Sequence, residues 1–127
     1  MSLTFQQQEK FVLVTLKAEP DSEMLEKAVQ LTTGFLKKGE KNFILLVQKV
    51  EQPNSSFVAM VEKISLDATV KGGNVVVAKP NEDVADILED MGIMFTDSLE
   101  EARDYIFMEE LEQEFLDEDE EDEELLY

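Results

Sequence analysis

Two kinds of apolar pattern alternate along this chain, and the stretch from Asn42 to Val70 contains both. Phe43-Ile44-Leu45-Leu46-Val47 is a short unbroken apolar run, the pattern of a strand buried on both faces, as in parallel sheets covered by helices. A polar crossing from Gln48 to Gln52 and a halt at Pro53 follow. Phe57, Met60, Val61, Ile64 and Ala68 then recur at steps of three and four, a helical stripe with Glu62, Lys63 and Asp67 lying off it. Asn54 and Ser55 both suit the helix N-cap, because their side-chain oxygens can accept the N–H groups that a first turn leaves unpaired. Ser56 therefore falls in or beside that first turn, at the carboxyl end of a buried strand, where open α/β sheets present functional groups.

The same reading extends both ways. Leu3, Phe5 and Gln7 form an alternating segment, Phe11 to Leu16 is a dense β-favouring run, and Glu9-Lys10 between them predicts an opening hairpin. Pro20-Asp21-Ser22-Glu23 starts a helix whose Leu25, Ala28, Val29, Thr32, Phe35 and Leu36 share a face, and Lys37-Lys38-Gly39 ends it. After the central helix, Gly72-Gly73 breaks the chain and Asn74 to Ala78 returns as a buried strand. Pro80-Asn81-Glu82-Asp83 opens a third helix carrying Val84, Ile87, Leu88 and Met91, closed by Gly92. Ile93-Met94-Phe95 is a short strand, and Ser98-Leu99-Glu100-Glu101 is a capping box for a last helix through Ala102, Tyr105 and Ile106, with Leu111 and Phe115 extending its stripe. The predicted architecture is α/β: a mixed, mostly parallel sheet of about five strands with four helices, joined by right-handed crossovers.

Charge changes the picture at the C-terminus. The 127 residues carry a formal charge of −19, from 30 acids and 11 bases, and twelve of the acids lie beyond residue 108 with no base among them. The expected division is a domain over 1–108 and an acidic tail over 109–127, partly helical to about 116, with the eight consecutive acids Asp117 to Glu124 disordered or held only by a partner. A body at −7 and a tail at −12 argue against nucleic-acid binding and against anionic membranes. Proteins with basic patches are the better partners. Leu111, Phe115, Leu125, Leu126 and Tyr127 bracket the acids and suit docking of the tail, in trans or back onto the body.

Composition narrows the chemistry further. There is no cysteine and no histidine, which excludes disulfides, thiol nucleophiles, thiolate or imidazole metal sites and the usual general base near neutral pH. No Gly-rich phosphate cradle is present, and the acids lie on solvated helix faces. The expectation is a protein that is not an enzyme, with no cofactor and no metal site. No signal peptide precedes Phe5 and no apolar run approaches the roughly 18 residues of a membrane span, so a cytoplasmic location without membrane insertion is expected.

The succession of elements and several local signatures resemble the STAS domain of bacterial anti-sigma factor antagonists. In that family a strand like Ile44 to Val47 leads to an Asp-Ser-Ser-Gly-Leu motif at a helix start, where this sequence has Asn54-Ser55-Ser56-Phe57-Val58. Gly72-Gly73 with Val75-Val76-Val77, the Pro80 helix ending in Met91-Gly92-Ile93, and Phe95-Thr96-Asp97-Ser98 with Glu100-Glu101-Ala102 match as well, over roughly residues 3 to 107. The resemblance implies a regulatory protein-protein interaction module switched by serine phosphorylation. It implies Ser56 as phosphoacceptor, an anti-sigma factor serine kinase as partner, and Asn54, Ser55, Phe57 and Val58 as the partner interface. Asn54 in place of aspartate keeps the cap and removes a charge. Phe57 in place of glycine adds a ring that its stripe assigns to the core and its position to the interface. Two other readings stand beside this one. One is a STAS scaffold in a larger assembly or transport complex, with Ser55 and Ser56 as unmodified capping residues. The other is an acidic decoy whose tail occupies basic surfaces.

Overall fold

The computed structural model describes residues 3–126, with side chains described as far as Glu114. Nine elements follow one another: β1 (Leu3–Gln7), β2 (Val12–Leu16), α1 (Ser22–Lys37), β3 (Phe43–Leu46), α2 (Ser55–Val70), β4 (Val75–Ala78), α3 (Glu82–Met91), β5 (Phe95–Thr96) and α4 (Leu99–Leu126). The five strands form one sheet in the order β1-β2-β3-β4-β5. The β1–β2 hairpin is antiparallel, with Phe5 opposite Val14, and the remaining pairs are parallel. Each parallel step is made through one helix, as the crossover geometry requires.

The two sheet faces carry separate cores. Val12, Val14, Phe43, Leu45 and Val77 pack with the apolar stripes of α1, α2 and α3. Leu13, Ile44, Val76 and Ala78 face the other way and pack against Ala102 and Ile106 of α4. Burial of both faces explains why β3 and β4 read as unbroken apolar runs rather than alternations. Val50 lies in the crossing expected to be polar, yet it is buried in the larger core. A tight turn does this: the Val50 N–H donates to the Val47 carbonyl at 2.9 Å and brings the side chain back inward.

Several boundaries moved for identifiable reasons. β5 is Phe95–Thr96 rather than Ile93 to Phe95, because its register is set by pairing Val77 with Phe95 and Ala78 with Thr96. Leu111 does not continue the buried stripe of α4: it is half exposed, five residues beyond Ile106 and so on the outer face. The α4 backbone runs without interruption to Leu126, past both the expected helix end near 116 and the acid run from Asp117, in a segment rich in the strong helix formers glutamate and leucine. The docking expected of Phe115, Leu125, Leu126 and Tyr127 concerns side chains outside the described ones. At the turn after α2, Gly73 is required by space, since a Cβ there would run into the Lys41 carbonyl oxygen.

Candidate functional site

The site is built at the carboxyl ends of the parallel strands, where β3 hands over to α2. Asn54 is the N-cap: its backbone is extended, with φ −117° and ψ 177°, and its side chain accepts the Phe57 N–H at 2.8 Å. Of the two capping candidates in the sequence, Asn54 takes the role, and Ser55 and Ser56 become the first two helical residues. The Ser55 and Ser56 amides belong to the first turn and have no intrahelical acceptor, so the positive end of the helix dipole is presented beside both hydroxyls. Ser55 is exposed; Ser56 is half-buried.

Ser56 is half-buried because α1 lies alongside. α1 and α2 both return antiparallel to the sheet, so their N-termini meet at the same pole. Between them runs an open groove of about 220 Å³ lined by Ser22, Leu25, Glu26, Ser56, Ala59 and Met60, among others. Its floor is largely apolar, and one carboxylate, that of Glu26, faces it. A charged group placed on Ser56 would gain from the helix N-terminus and would be opposed by Glu26.

The expected interface residues separate. Asn54 and Ser55 are exposed, Val58 is half-buried, and Phe57 is buried at 1 % exposure within the larger core. Phe57 therefore offers no ring to a partner, a correction to its place in the expected interface. On α2 the ring falls on the same stripe as Met60, Val61 and Ile64, and the core claims it.

Three residues tie the loops at the two poles of the sheet; of their contacts the sequence predicts only the cap of α3, from Pro80-Asn81-Glu82-Asp83. Glu19, in the β2–α1 loop, accepts the backbone N–H groups of Glu51 at 2.9 Å and Gln52 at 3.2 Å. Asn81 caps α3 through its oxygen, accepting the Val84 N–H at 2.8 Å, while its amide nitrogen donates to the carbonyls of Glu51 at 2.8 Å and Val50 at 3.2 Å. The loop leading to Ser56 is thus tied from both neighbouring loops. Lys79, two residues before Asn81, has a left-handed backbone with φ 58°, and its N–H donates to the Thr96 carbonyl at 2.9 Å. The third residue, Asn42, works at the opposite pole. It is almost completely buried; its nitrogen donates to the Lys10 carbonyl at 3.1 Å and to Glu110 of α4, and its oxygen accepts the Asn74 N–H at 2.9 Å. Gln113 completes the attachment, accepting from Lys41 and donating to the Gly72 carbonyl, both at 3.2 Å.

These contacts fix the direction of α4. It starts at Ser98, near the carboxyl ends of the strands, and reaches their amino ends at Glu110 and Gln113. Ser56 and the start of the acid-rich segment consequently lie at opposite poles. Among the described residues no cluster of three or more acids is placed to hold a metal ion, and no helix is long and apolar enough to cross a membrane.

No protein-family model matches the sequence, and a search of curated proteins finds no relative. Solved structures do match. A Thermotoga maritima protein classed as a candidate anti-sigma factor antagonist superposes with a TM-score of 0.73 at 21 % identity, covering 82 % of this chain and 93 % of its own. The anti-sigma factor antagonist SpoIIAA gives 0.72 at 18 % identity in its unphosphorylated form and, from Bacillus, 0.70 at 17 % in its phosphorylated form. Both cover 82 % of this chain and nearly all of SpoIIAA, 96 % and 98 % respectively. The chain has the STAS fold. A further STAS-fold neighbour comes from a structure of the stressosome, described as a signal integration and transduction hub, with a TM-score of 0.62 at 18 % identity, covering 81 % of this chain and 95 % of that one. Identities at this level carry the fold and leave the function to the site.

Proposed function

We propose that this chain is a regulatory protein-protein interaction module, switched by phosphorylation of Ser56, and that it has no catalytic site of its own. The observation that supports this most directly is the placement of Ser56. Its hydroxyl stands on the first turn of α2, half-buried, in an open groove between two helix N-termini. A phosphate there adds about −1.5 to −2 charge and three acceptor oxygens without entering the core. The fold keeps its shape, and the surface that a partner meets becomes more negative, adding to the Glu26 carboxylate already on the groove. The partner surface comprises Asn54, Ser55, Ser56 and Val58 with the α1 side of the groove; Phe57 supports it from beneath. SpoIIAA, the neighbour described in both phosphorylated and unphosphorylated forms, agrees with this reading; the partner in our proposal is an anti-sigma factor with serine kinase activity.

The test is capture of that partner from the native cell by the unmodified chain, followed by titration with Ser56→Ala and Ser56→Glu. Retained binding by the alanine variant and a loss of tenfold or more by the glutamate variant is the expected result. Equal binding by both variants favours a second reading, a STAS scaffold without a phosphoswitch, which the stressosome neighbour brings in as a fold used within a large assembly.

A further inference from the structure

The outer face of α4 has the wrong composition for a helix that meets only water. Phe107, Met108 and Leu111 are 45 %, 59 % and 50 % exposed. Spacings of three and four gather them into one triangle, because Leu111 sits one turn beyond both of the others. They are not loose ends of the core. Ala102 and Ile106 already supply the buried side of α4 against the sheet, and an exposed apolar cluster rimmed by charge marks an interaction surface.

The rim tells what the occupant must be. Asp104 lies one turn before Phe107 and Met108, Glu112 one turn after Met108, and Glu114 one turn after Leu111, all exposed. Arg103 is the only cation on α4. A second copy of this chain would bring the same acids against themselves, within a molecule already at −19, and an anionic lipid surface would be repelled in the same way. We propose that the outer face of α4 is a docking surface for a basic amphipathic helix of a partner protein. The apolar stripe of that helix covers Phe107, Met108 and Leu111, and its lysines or arginines pair with the acid rim, in the helix-to-helix mode of recognition. This surface is independent of Ser56: it lies on the opposite side of the sheet from α1 and α2, so both can be occupied together.

The experiment uses the full chain and a fluorescein-labelled leucine–lysine amphipathic peptide about four turns long, read by fluorescence anisotropy. A lysine-rich peptide of equal charge without leucine serves as control. Saturable binding of the amphipathic peptide is expected, at least about tenfold tighter than the control, weakened about tenfold or more by Phe107→Ser with Leu111→Ser, and unchanged by Ser56→Glu. Asp104→Lys with Glu112→Lys keeps the apolar triangle and is expected to weaken binding and flatten its dependence on salt. Circular dichroism establishes that each variant is folded. Equal binding of the two peptides, full binding by the folded serine variant, or no binding by the unmodified chain would overturn the proposal.

Discussion

The carboxylate of Glu19 accepts the backbone N–H of Glu51 at 2.9 Å, across a gap of 32 residues in sequence. One loop of the sheet's carboxyl pole thereby holds the next, and the next is the loop that delivers Ser56. Removing the carboxylate by Glu19→Ala should speed hydrogen exchange at the Glu51 and Gln52 amides while leaving core amides of β3 protected. Glu19→Gln, which keeps one acceptor oxygen, should fall between the two.

Asn81 performs two tasks that substitution can separate. Asn81→Asp keeps an oxygen for the α3 cap but places an acceptor against the carbonyls of Val50 and Glu51; Asn81→Ala loses the cap as well. Both should be less stable than the parent chain. The alanine variant should lose about 1–2 kcal/mol, as expected for a lost N-cap with its additional contacts. Urea denaturation of the three proteins measures this.

Asn42 is the corresponding joint at the other pole. With its side chain buried and bonded to Lys10, Asn74 and Glu110, Asn42→Ala should cost about 2–3 kcal/mol, since partners are left unpaired in a closed site. Asn42→Asp should be worse still at neutral pH, since it loses the amide donor to Lys10 and Glu110 and sets a carboxylate against that of Glu110. Thermal melts of the variants read out the difference.

How much of this was legible beforehand depends on whether the cause is local. The hairpin, the four helices and the caps of Asn54 and Ser98 follow from neighbouring residues, and the Ser98 hydroxyl does accept the Glu101 N–H at 3.1 Å. The double-sided burial of β3 and β4 also follows, because an unbroken apolar run has no solvent face to spare. The α3 cap at Asn81 was legible in the same way, but its hold on Val50 and Glu51, and the contacts of Glu19 and Asn42, were not, since each acts on a segment some thirty residues away or more, and in a sequence so rich in acids nothing distinguishes Glu19. Val50 hid among polar neighbours. Phe57 was ambiguous only because its position in a motif and its place in a stripe disagree, and packing decided for the stripe.

Tyr105 offers a spectroscopic handle on the β5 edge. Burial raises its phenol above the ordinary tyrosine range, and the nearby carboxylates of Glu109 and Glu112 raise it further. A phenol whose folded pKa is raised contributes its stability below the unfolded value of about 10, and that contribution is lost as pH rises through the folded value. Ultraviolet titration of a Tyr127→Phe chain should show Tyr105 ionising late. Glu109→Gln should bring the midpoint back toward the ordinary value.

The central claim rests on Ser56, and phosphosite mapping by mass spectrometry on the protein isolated from its native cell, under several growth and stress conditions, tests it most directly. The account predicts phosphate on Ser56 in a fraction that changes with condition, while Ser55 stays unmodified. Complete coverage of the Ser55–Ser56 peptide with no phosphate on Ser56 in any condition would contradict it.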